Sequence, residues 1–273
     1  MRSLRTFLVL SSQIFFSNAG GTHPTPSFFP KSPLTISIET HGLYFIARIY
    51  LNFSRFISPM KSAVLFSGGK DSTLAVFFSI FQGWETSLVC VQSQEDSYMF
   101  HHPNTEWCKE QAEVMNLPIS YVKTRNKTEL ADLKAHLKKL KIDCIITGAV
   151  ASEYQKQRID LLAHELGIRS FSPIWRKNEK VLEEMMRYFE IYMVAVAAEG
   201  IDAKFLSKRF DADMLEKLKK LKIHPFLEGG EGETFVSDAP FFSHRLKIGG
   251  WDFLLGNTSS TAKIAGLSKI PKC

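Results

Sequence analysis

Ser67-Gly68-Gly69-Lys70-Asp71-Ser72 follows the apolar run Ala63-Val64-Leu65-Phe66 and precedes a stretch with helical periodicity. A strand, a glycine turn and a helix N-terminus in that order aim backbone N–H groups at one point. No Cβ stands in the way, and the helix macrodipole adds positive potential there. The guest predicted by this arrangement is phosphate. Two other phosphate loops do not fit. The Walker A pattern needs Gly, four residues and then Gly-Lys-Ser/Thr, whereas Val64 stands in place of its first glycine and Asp71 follows Lys70. The dinucleotide pattern needs G-x-G-x-x-G, which this turn lacks.

Working outward from that loop, short apolar runs alternate with helix-length amphipathic segments from Met60 onward, the signature of a parallel sheet wound with helices. The periodicity predicts strands over 63–66, 87–91, 119–122 and 143–147. It predicts helices over 72–82, 104–115, 127–140 and 153–166. The expected fold is α/β, a doubly wound parallel sheet over 60–175, followed by a smaller C-terminal α+β domain over 176–273. Such a sheet binds ligands beyond the carboxyl ends of its strands. Gln92 and the polar, aromatic segment Gln94 to Pro103, with Tyr98 and His101, follow the second strand. Gly148 to Arg158 follows the fourth, with Gly148 open to close backbone approach and Ser152 placed to cap a helix. Each stretch also admits a plain structural reading, a loop histidine in one and a solvated helix face in the other.

In the second lobe the pattern gives a helix over 179–189, an apolar strand over 191–198 and a basic helical stretch over 214–221. Lys217, Lys219, Lys220 and Lys222 alternate with Leu215, Leu218 and Leu221 at helical spacing, and no aromatic or glycine interleaves them. They read as the wet face of an amphipathic helix rather than as a nucleic-acid patch. The cluster Glu228, Glu231 and Glu233 sets three carboxylates among three glycines. It suits a metal, a cationic substrate group or ammonium, with a solvated acidic turn as the plainer reading.

Residues 1–59 differ in character. They hold Arg2, Arg5, Lys31, Arg48 and Arg55 against Glu39 alone, so most of the chain's formal charge of +6 lies there. The core is close to neutral, which speaks against a nucleic-acid-binding face. Arg2 and Arg5 ahead of Phe7 to Leu10 imitate a signal peptide, but Ser11, Ser12 and Gln13 interrupt the apolar run, and it is too short to span a bilayer. Cys90, Cys108, Cys144 and Cys273 show no C-x-x-C pairing or zinc spacing and read as reduced thiols of a cytoplasmic protein.

The loop Ser67 to Ser72 resembles the PP-loop of the ATP pyrophosphatases, which split ATP between its α and β phosphates. With Ser97-Tyr98-Met99-Phe100-His101, Ser152-Glu153-Tyr154-Gln155, Pro173-Ile174-Trp175, Ala198 to Asp202, Glu228 to Phe235 and Asp238 to Phe242, the chain is similar to the diphthine-ammonia ligase family from Met60 to about residue 255. Two features depart from the family pattern. Leu227 and Gly232 stand where the acidic motif carries a glycine and an aromatic, and Ser207 replaces a glycine after Leu206.

The resemblance implies an adenine-nucleotide α-hydrolase-like (HUP) fold, ATP and Mg2+. It implies ammonium as nitrogen donor and diphthine on translation elongation factor 2 as acceptor, with AMP and pyrophosphate released through an acyl-adenylate. It requires no nucleic acid or membrane, and a homodimer is compatible with it. Ser67, Gly68, Gly69, Lys70, Asp71 and Ser72 would hold the pyrophosphate end, with Asp71 on the metal. Gln92, Tyr98 and His101 would border adenine and ribose. Gly148, Glu153, Tyr154, Gln157 and Arg158 would line the acceptor side, and Lys70, Asp71, Arg158 and Glu231 are the catalytic candidates. The alternatives are a PP-loop tRNA-modifying enzyme, for which an added cysteine or zinc module and a basic core are missing from this sequence, and a nucleotide-binding sensor without catalysis.

Met60 immediately precedes the first core strand and is the expected physiological start, with a transit or anchoring role for residues 1–59 as the alternative. Mass spectrometry of the native protein should find an N-terminus at Met60; peptides from residues 2–59 would refute this.

Overall fold

In the computed structural model, which describes residues 59–93, 103–125, 128–197 and 201–272, five strands pair in parallel. They are β1 (Lys61–Leu65), β2 (Glu85–Gln92), β3 (Ile119–Lys123), β4 (Cys144–Ile146) and β5 (Arg169–Phe171), in the order β3-β2-β1-β4-β5. Ala63, Val64, Leu88, Val89, Cys90 and all of β4 are fully buried, because helices cover both faces of the sheet. The connecting helices are α1 (Lys70–Phe81), α2 (Cys108–Met115), α3 (Glu129–Leu140) and α4 (Glu153–Leu166). On one side Leu133 and Leu137 of α3 and Ile159 and Leu162 of α4 pack with Ala63, Val89 and Ile145. This is the expected doubly wound sheet. Its chain order reverses between β1 and β4, the crevice where such sheets hold ligands.

Two details differ from the sequence reading. β5 was not expected, since three residues between Gly167 and Pro173 are too few to show a period. The helix expected from residue 104 begins instead as a 3-10 turn, Thr105–Trp107, because Asn104 takes a left-handed conformation with φ of 64°. That conformation lets the Asn104 side chain serve the second lobe, as shown below.

The second lobe contains α5 (Glu179–Tyr188), β6 (Glu190–Val196), α6 (Ala212–Lys220), β7 (Gly232–Asp238), β8 (His244–Leu255) and β9 (Ser260–Pro271). Its four strands form an antiparallel sheet in the order β7-β6-β9-β8. Asp211 caps α6 by accepting from the Met214 N–H at 3.0 Å, and Met214, Leu215 and Leu218 are buried. Its lysines face carboxylates, Lys217 on Asp213 and Lys219 on Glu216 and Glu179, the solvated face that the leucine spacing predicts. The acidic glycine stretch 228–234, whose plainer reading is a solvated turn, divides into a 3-10 turn at Glu228–Gly230 and the start of strand β7.

Both sheets belong to one compact unit, and the seam between them is hydrogen bonded. The Asn104 side chain donates to Ala262 O at 3.0 Å and accepts from Ile264 N at 2.8 Å, so it continues the free edge of β9. Trp107 Nε1 donates to Ile264 O at 3.2 Å, and Ser243 N donates to Val114 O at 2.7 Å.

The turn after β4 presses on the first turn of α1 at Gly148. A Cβ on residue 148 would stand 2.6 Å from the Asp71 carbonyl carbon and 2.7 Å from the Ser72 nitrogen. Gly148→Ala should therefore cost about 1–3 kcal/mol in urea unfolding. Gly266→Ala, with open space at its Cβ, is the control and should change stability by less than about 1 kcal/mol.

Candidate active site

Ser67 to Ser72 closes on itself at the carboxyl end of β1. Ser72 Oγ accepts from Ser67 N at 3.3 Å and donates to Gly69 O at 3.1 Å. Gly68, with φ of 82°, makes the sharp turn that a side chain would oppose. The N-cap residue Gly69 supplies no side-chain acceptor; Thr234 Oγ1 takes the Lys70 N–H, and the amides of Asp71 and Ser72 follow it in the first turn of α1.

This loop is not a surface feature of the first lobe, because β7 lies against it. Val236 N donates to Gly68 O at 3.0 Å, and Lys70 N donates to Thr234 Oγ1 at 3.1 Å. Gln111, fully buried, donates from Nε2 to both Gly68 O (3.0 Å) and Val236 O (2.8 Å). The Lys70 ammonium reaches across the seam to Phe226 O at 2.7 Å while donating to Asp71 Oδ2 at 2.7 Å. It lies 5.9 Å from the ring centroids of both Phe210 and Phe226, and the side chain is 3% exposed.

Between the lobes, a cavity of about 170 Å³ is lined by Ser67, Gly69, Lys70, Asp71 and Ser72 from the loop. Thr147, Gly148, Gln155 and Ile159 come from the β4 side, and Phe226 to Gly230 and Gly232 to Thr234 from the second lobe. Its ionisable groups are Lys70 against Asp71, Glu228 and Glu233. Burial pushes the Asp71 carboxyl above its ordinary value against the pull of Lys70, and Glu233 adds to the rise. Burial likewise raises Glu228, Asp71 adds to it, and Lys70 and the backbone amides of Ala151 and Val150 oppose it. Asp71 Oδ1 is a buried acceptor with no hydrogen-bond partner among the described residues. A carboxylate oxygen of that kind beside a phosphate-type loop fits Mg2+, which takes one or two protein carboxylates and completes its shell with water and phosphate oxygens. No group of three His, Cys, Asp or Glu side chains is arranged for a metal among the described residues, so Asp71 would be the main protein ligand.

The predicted site residues separate into groups. Ser67, Gly69, Lys70, Asp71, Ser72 and Gly148 meet at the cavity, with Gly68 just beneath it. Glu153, Tyr154 and Arg158 do not line it. Glu153 pairs with Arg176 at 2.6 Å, while the Arg158 guanidinium stacks 3.4 Å above the ring of Tyr154, itself 49% exposed. From α4 the cavity takes Gln155 and Ile159 instead, one residue round the helix. Gln92 ends β2, where its carbonyl accepts from Thr124 N. Glu231 lies outside the lining and accepts from His224 N. Tyr98 and His101 fall outside the described residues. Sequence reading missed Gln111, Thr147, Phe226 and Thr234. A buried Gln in a helix and a Thr in a strand carry no local signal of a contact more than a hundred residues away.

A glycine loop opening a helix at the switch point of a parallel sheet, beside a carboxylate with an unbonded oxygen among the described residues, is the arrangement of a nucleotide-handling α/β protein. The family comparison names the kind. Residues 60–170 match the model of the diphthamide synthase N-terminal domain and residues 177–265 that of the C-terminal domain, so the chain belongs to the diphthamide synthase family. Among its relatives is a diphthine–ammonia ligase of Schizosaccharomyces pombe, 31% identical over 69% of this chain and 36% of its own length. The rat diphthine–ammonia ligase is 30% identical over 76% of this chain and 90% of its own, and the human one 29% over the same shares. The chain thus spans about a third of the yeast relative and most of the mammalian ones. A solved structure described as a predicted subunit of a tRNA methyltransferase from Methanocaldococcus jannaschii aligns with 66% of this chain at 18% identity, with a TM-score of 0.39.

Both raised carboxyls destabilise the folded chain when ionised: the stability that each contributes is full below its unfolded value and is lost as pH rises through its folded value. Glu228→Gln removes one such group. Its stability relative to wild type should improve as pH rises from about 4 to 7 in denaturant titrations; a difference that is flat or falls with pH would refute the assignment.

Proposed function

We propose that this chain amidates diphthine on translation elongation factor 2, using ATP and ammonium and releasing AMP and pyrophosphate. The observation that carries the reading is the shared cavity, in which the phosphate-type loop of one lobe and the acidic segment of the other line a single space. Family membership and the diphthine–ammonia ligase relatives support the class, a ligase forming a C–N bond, and diphthine as the group acted on; elongation factor 2 as its carrier is part of the proposal.

The chemistry needs a carboxylate oxygen turned into a leaving group. Attack of that oxygen on the α-phosphorus forms an acyl-adenylate and breaks the α–β bond. Ammonia then attacks the acyl carbon, AMP leaves with the bonding pair, and one proton is released. For the first step the backbone amides of Gly68 and Gly69 and the hydroxyls of Ser67 and Ser72 would hold the pyrophosphate end, the Lys70 amide being held by Thr234 Oγ1. Lys70 would neutralise charge developing there. Asp71 would hold Mg2+, which supplies further charge neutralisation on the phosphate oxygens. The cavity's three carboxylates outnumber Lys70, so a polyphosphate must arrive with cations, and ammonium finds a favourable potential in the same place. Glu153, Tyr154, Gln157 and Arg158, on the exposed face beside the cavity, would meet the protein substrate; an exposed guanidinium stacked on an aromatic ring can still pair a carboxylate. Gln92, Tyr98 and His101 would border the adenosine. Cytoplasmic location follows from the acceptor, and among the described residues no helix is long and apolar enough to cross a membrane.

Incubation with diphthine-bearing elongation factor 2, Mg-ATP and ammonium should convert the modified histidine to its amide, read by mass analysis, with AMP and pyrophosphate in step. ADP as product, or an unmodified acceptor beside an active positive control, would contradict the assignment. Asp71→Asn should lower the rate by at least about a hundredfold, as loss of an electrostatic group at the reacting phosphate does.

A further inference from the structure

Glu231 sits among the acidic residues of the second lobe, yet it turns away from the cavity. Its Oε2 accepts from the backbone N–H of His224 at 2.9 Å, and its carbonyl accepts from Ala197 N at 3.0 Å. His224 opens a tight turn, in which Leu227 N donates to His224 O at 2.8 Å and Phe226 N to His224 Nδ1 at 3.3 Å. Pro225 occupies the second position of that turn, where its fixed φ favours the bend. The product of the turn is one inward-facing carbonyl, Phe226 O, and Lys70 Nζ donates to it.

From this chain of contacts we propose that Glu231 is a positioning residue for Lys70, acting through the His224 to Leu227 turn. The inference rests on the reading above that the cavity takes the phosphates of ATP. An ammonium has three N–H bonds in fixed tetrahedral directions. Two of those on Lys70 are spent on Asp71 Oδ2 and Phe226 O, so these two acceptors fix the direction of the third. With the side chain 3% exposed, water offers little substitute for a lost acceptor. Where the turn places Phe226 O therefore decides where Lys70 points, and a carboxylate on the turn's first N–H is a charge-assisted restraint on that placement. A surface glutamate merely facing solvent would have no such consequence.

The test is the binding of the Mg2+ complex of a non-hydrolysable ATP analogue to the full chain, by calorimetry, with the thermal midpoint of each variant recorded. Glu231→Ala should weaken binding by about tenfold, the scale of one lost charge-assisted hydrogen bond. Glu231→Gln keeps an oxygen that accepts from His224 N–H and should stay within about threefold of wild type. Lys70→Met should weaken binding on its own, and Glu231→Ala added to it should have no further effect, because the two residues act as one unit. Should Glu231→Ala fail to fold, Glu231→Asp, whose shorter carboxylate falls short of His224, replaces it.

A tenfold loss that persists in the Lys70→Met background, or an alanine variant that binds like wild type, would overturn the proposal. So would a wild-type chain that does not bind the analogue. No elongation factor enters this measurement, so wild type that binds the analogue but leaves diphthine untouched would fail the acceptor assignment alone.

Discussion

The carbonyl of Gly68 accepts from both sides of the molecule at once, from Val236 of β7 and from Gln111 of α2. Gln111 in turn donates to the carbonyl of Val236, so three buried groups close a small ring between loop, helix and second sheet. Each such bond contributes about 0.5–1.5 kcal/mol net, but leaving any of the buried partners unpaired costs about 1–3 kcal/mol. That asymmetry makes the ring a constraint on geometry more than a source of stability. The phosphate-type loop is held both by its own Ser72 hydroxyl and by hydrogen bonds from the second lobe. The lobe after Arg176 is thus part of the candidate site in the literal sense that it supplies hydrogen-bond partners to the loop.

The same constraint shapes the electrostatics. Lys70 is held away from water between two phenyl rings, a carboxylate and a carbonyl, all but one of them outside its own loop or contributed by the second lobe. Burying an ammonium is costly unless it is paired and hydrogen bonded, and Asp71 with Phe226 O meets that need. Asp71 is left with one oxygen bonded to Lys70 and the other without a partner among the described residues, inside a space where Glu228 and Glu233 repel it. An arrangement of this kind is unfavourable as it stands and is relieved by a cation. In the proposed reading, cation binding and nucleotide binding would be coupled through a single residue, since Asp71 connects the orphan oxygen to Lys70.

What the sequence made legible is what local chemistry determines. The strand, glycine turn and helix of residues 63–82 follow from composition and spacing, and so do the buried central strands, whose apolar runs leave no alternative. The ligand crevice beyond the carboxyl ends of the strands follows once the sheet is parallel, whereas the order β3-β2-β1-β4-β5 comes from the structure alone. Contacts between lobes were not legible. Asn104 reads as a helix start, but its left-handed backbone turns its amide onto β9. The hairpin of β8 and β9 hides behind Gly249, Gly250 and Gly266, which interrupt any alternation and coincide with shifts in register. On α4 the difference is one of phase: Tyr154 and Arg158 carry the chemistry that draws attention in the sequence, while Gln155 and Ile159, one residue round the helix, line the cavity.

The departures from the family pattern acquire a physical sense from the backbone. Leu227 and Ser207, which stand where glycines are expected, have φ of 61° and 58°, so the chain keeps the glycine conformation at both positions. A side chain there costs about 1 kcal/mol. At residue 227 something offsets it, because the leucine is buried and its Cδ1 lies 3.4 Å from the point where a Cβ on residue 232 would stand. Gly232 is the position at which the pattern carries an aromatic. A large side chain at 232 and a leucine at 227 would compete for one space, so the two departures amount to an exchange of volume across the turn. The turn sets its Phe226 carbonyl on Lys70 and its Glu228 carboxylate on the amides of Val150 and Ala151, so both groups bear on the cavity while Leu227 fills the space that Gly232 leaves.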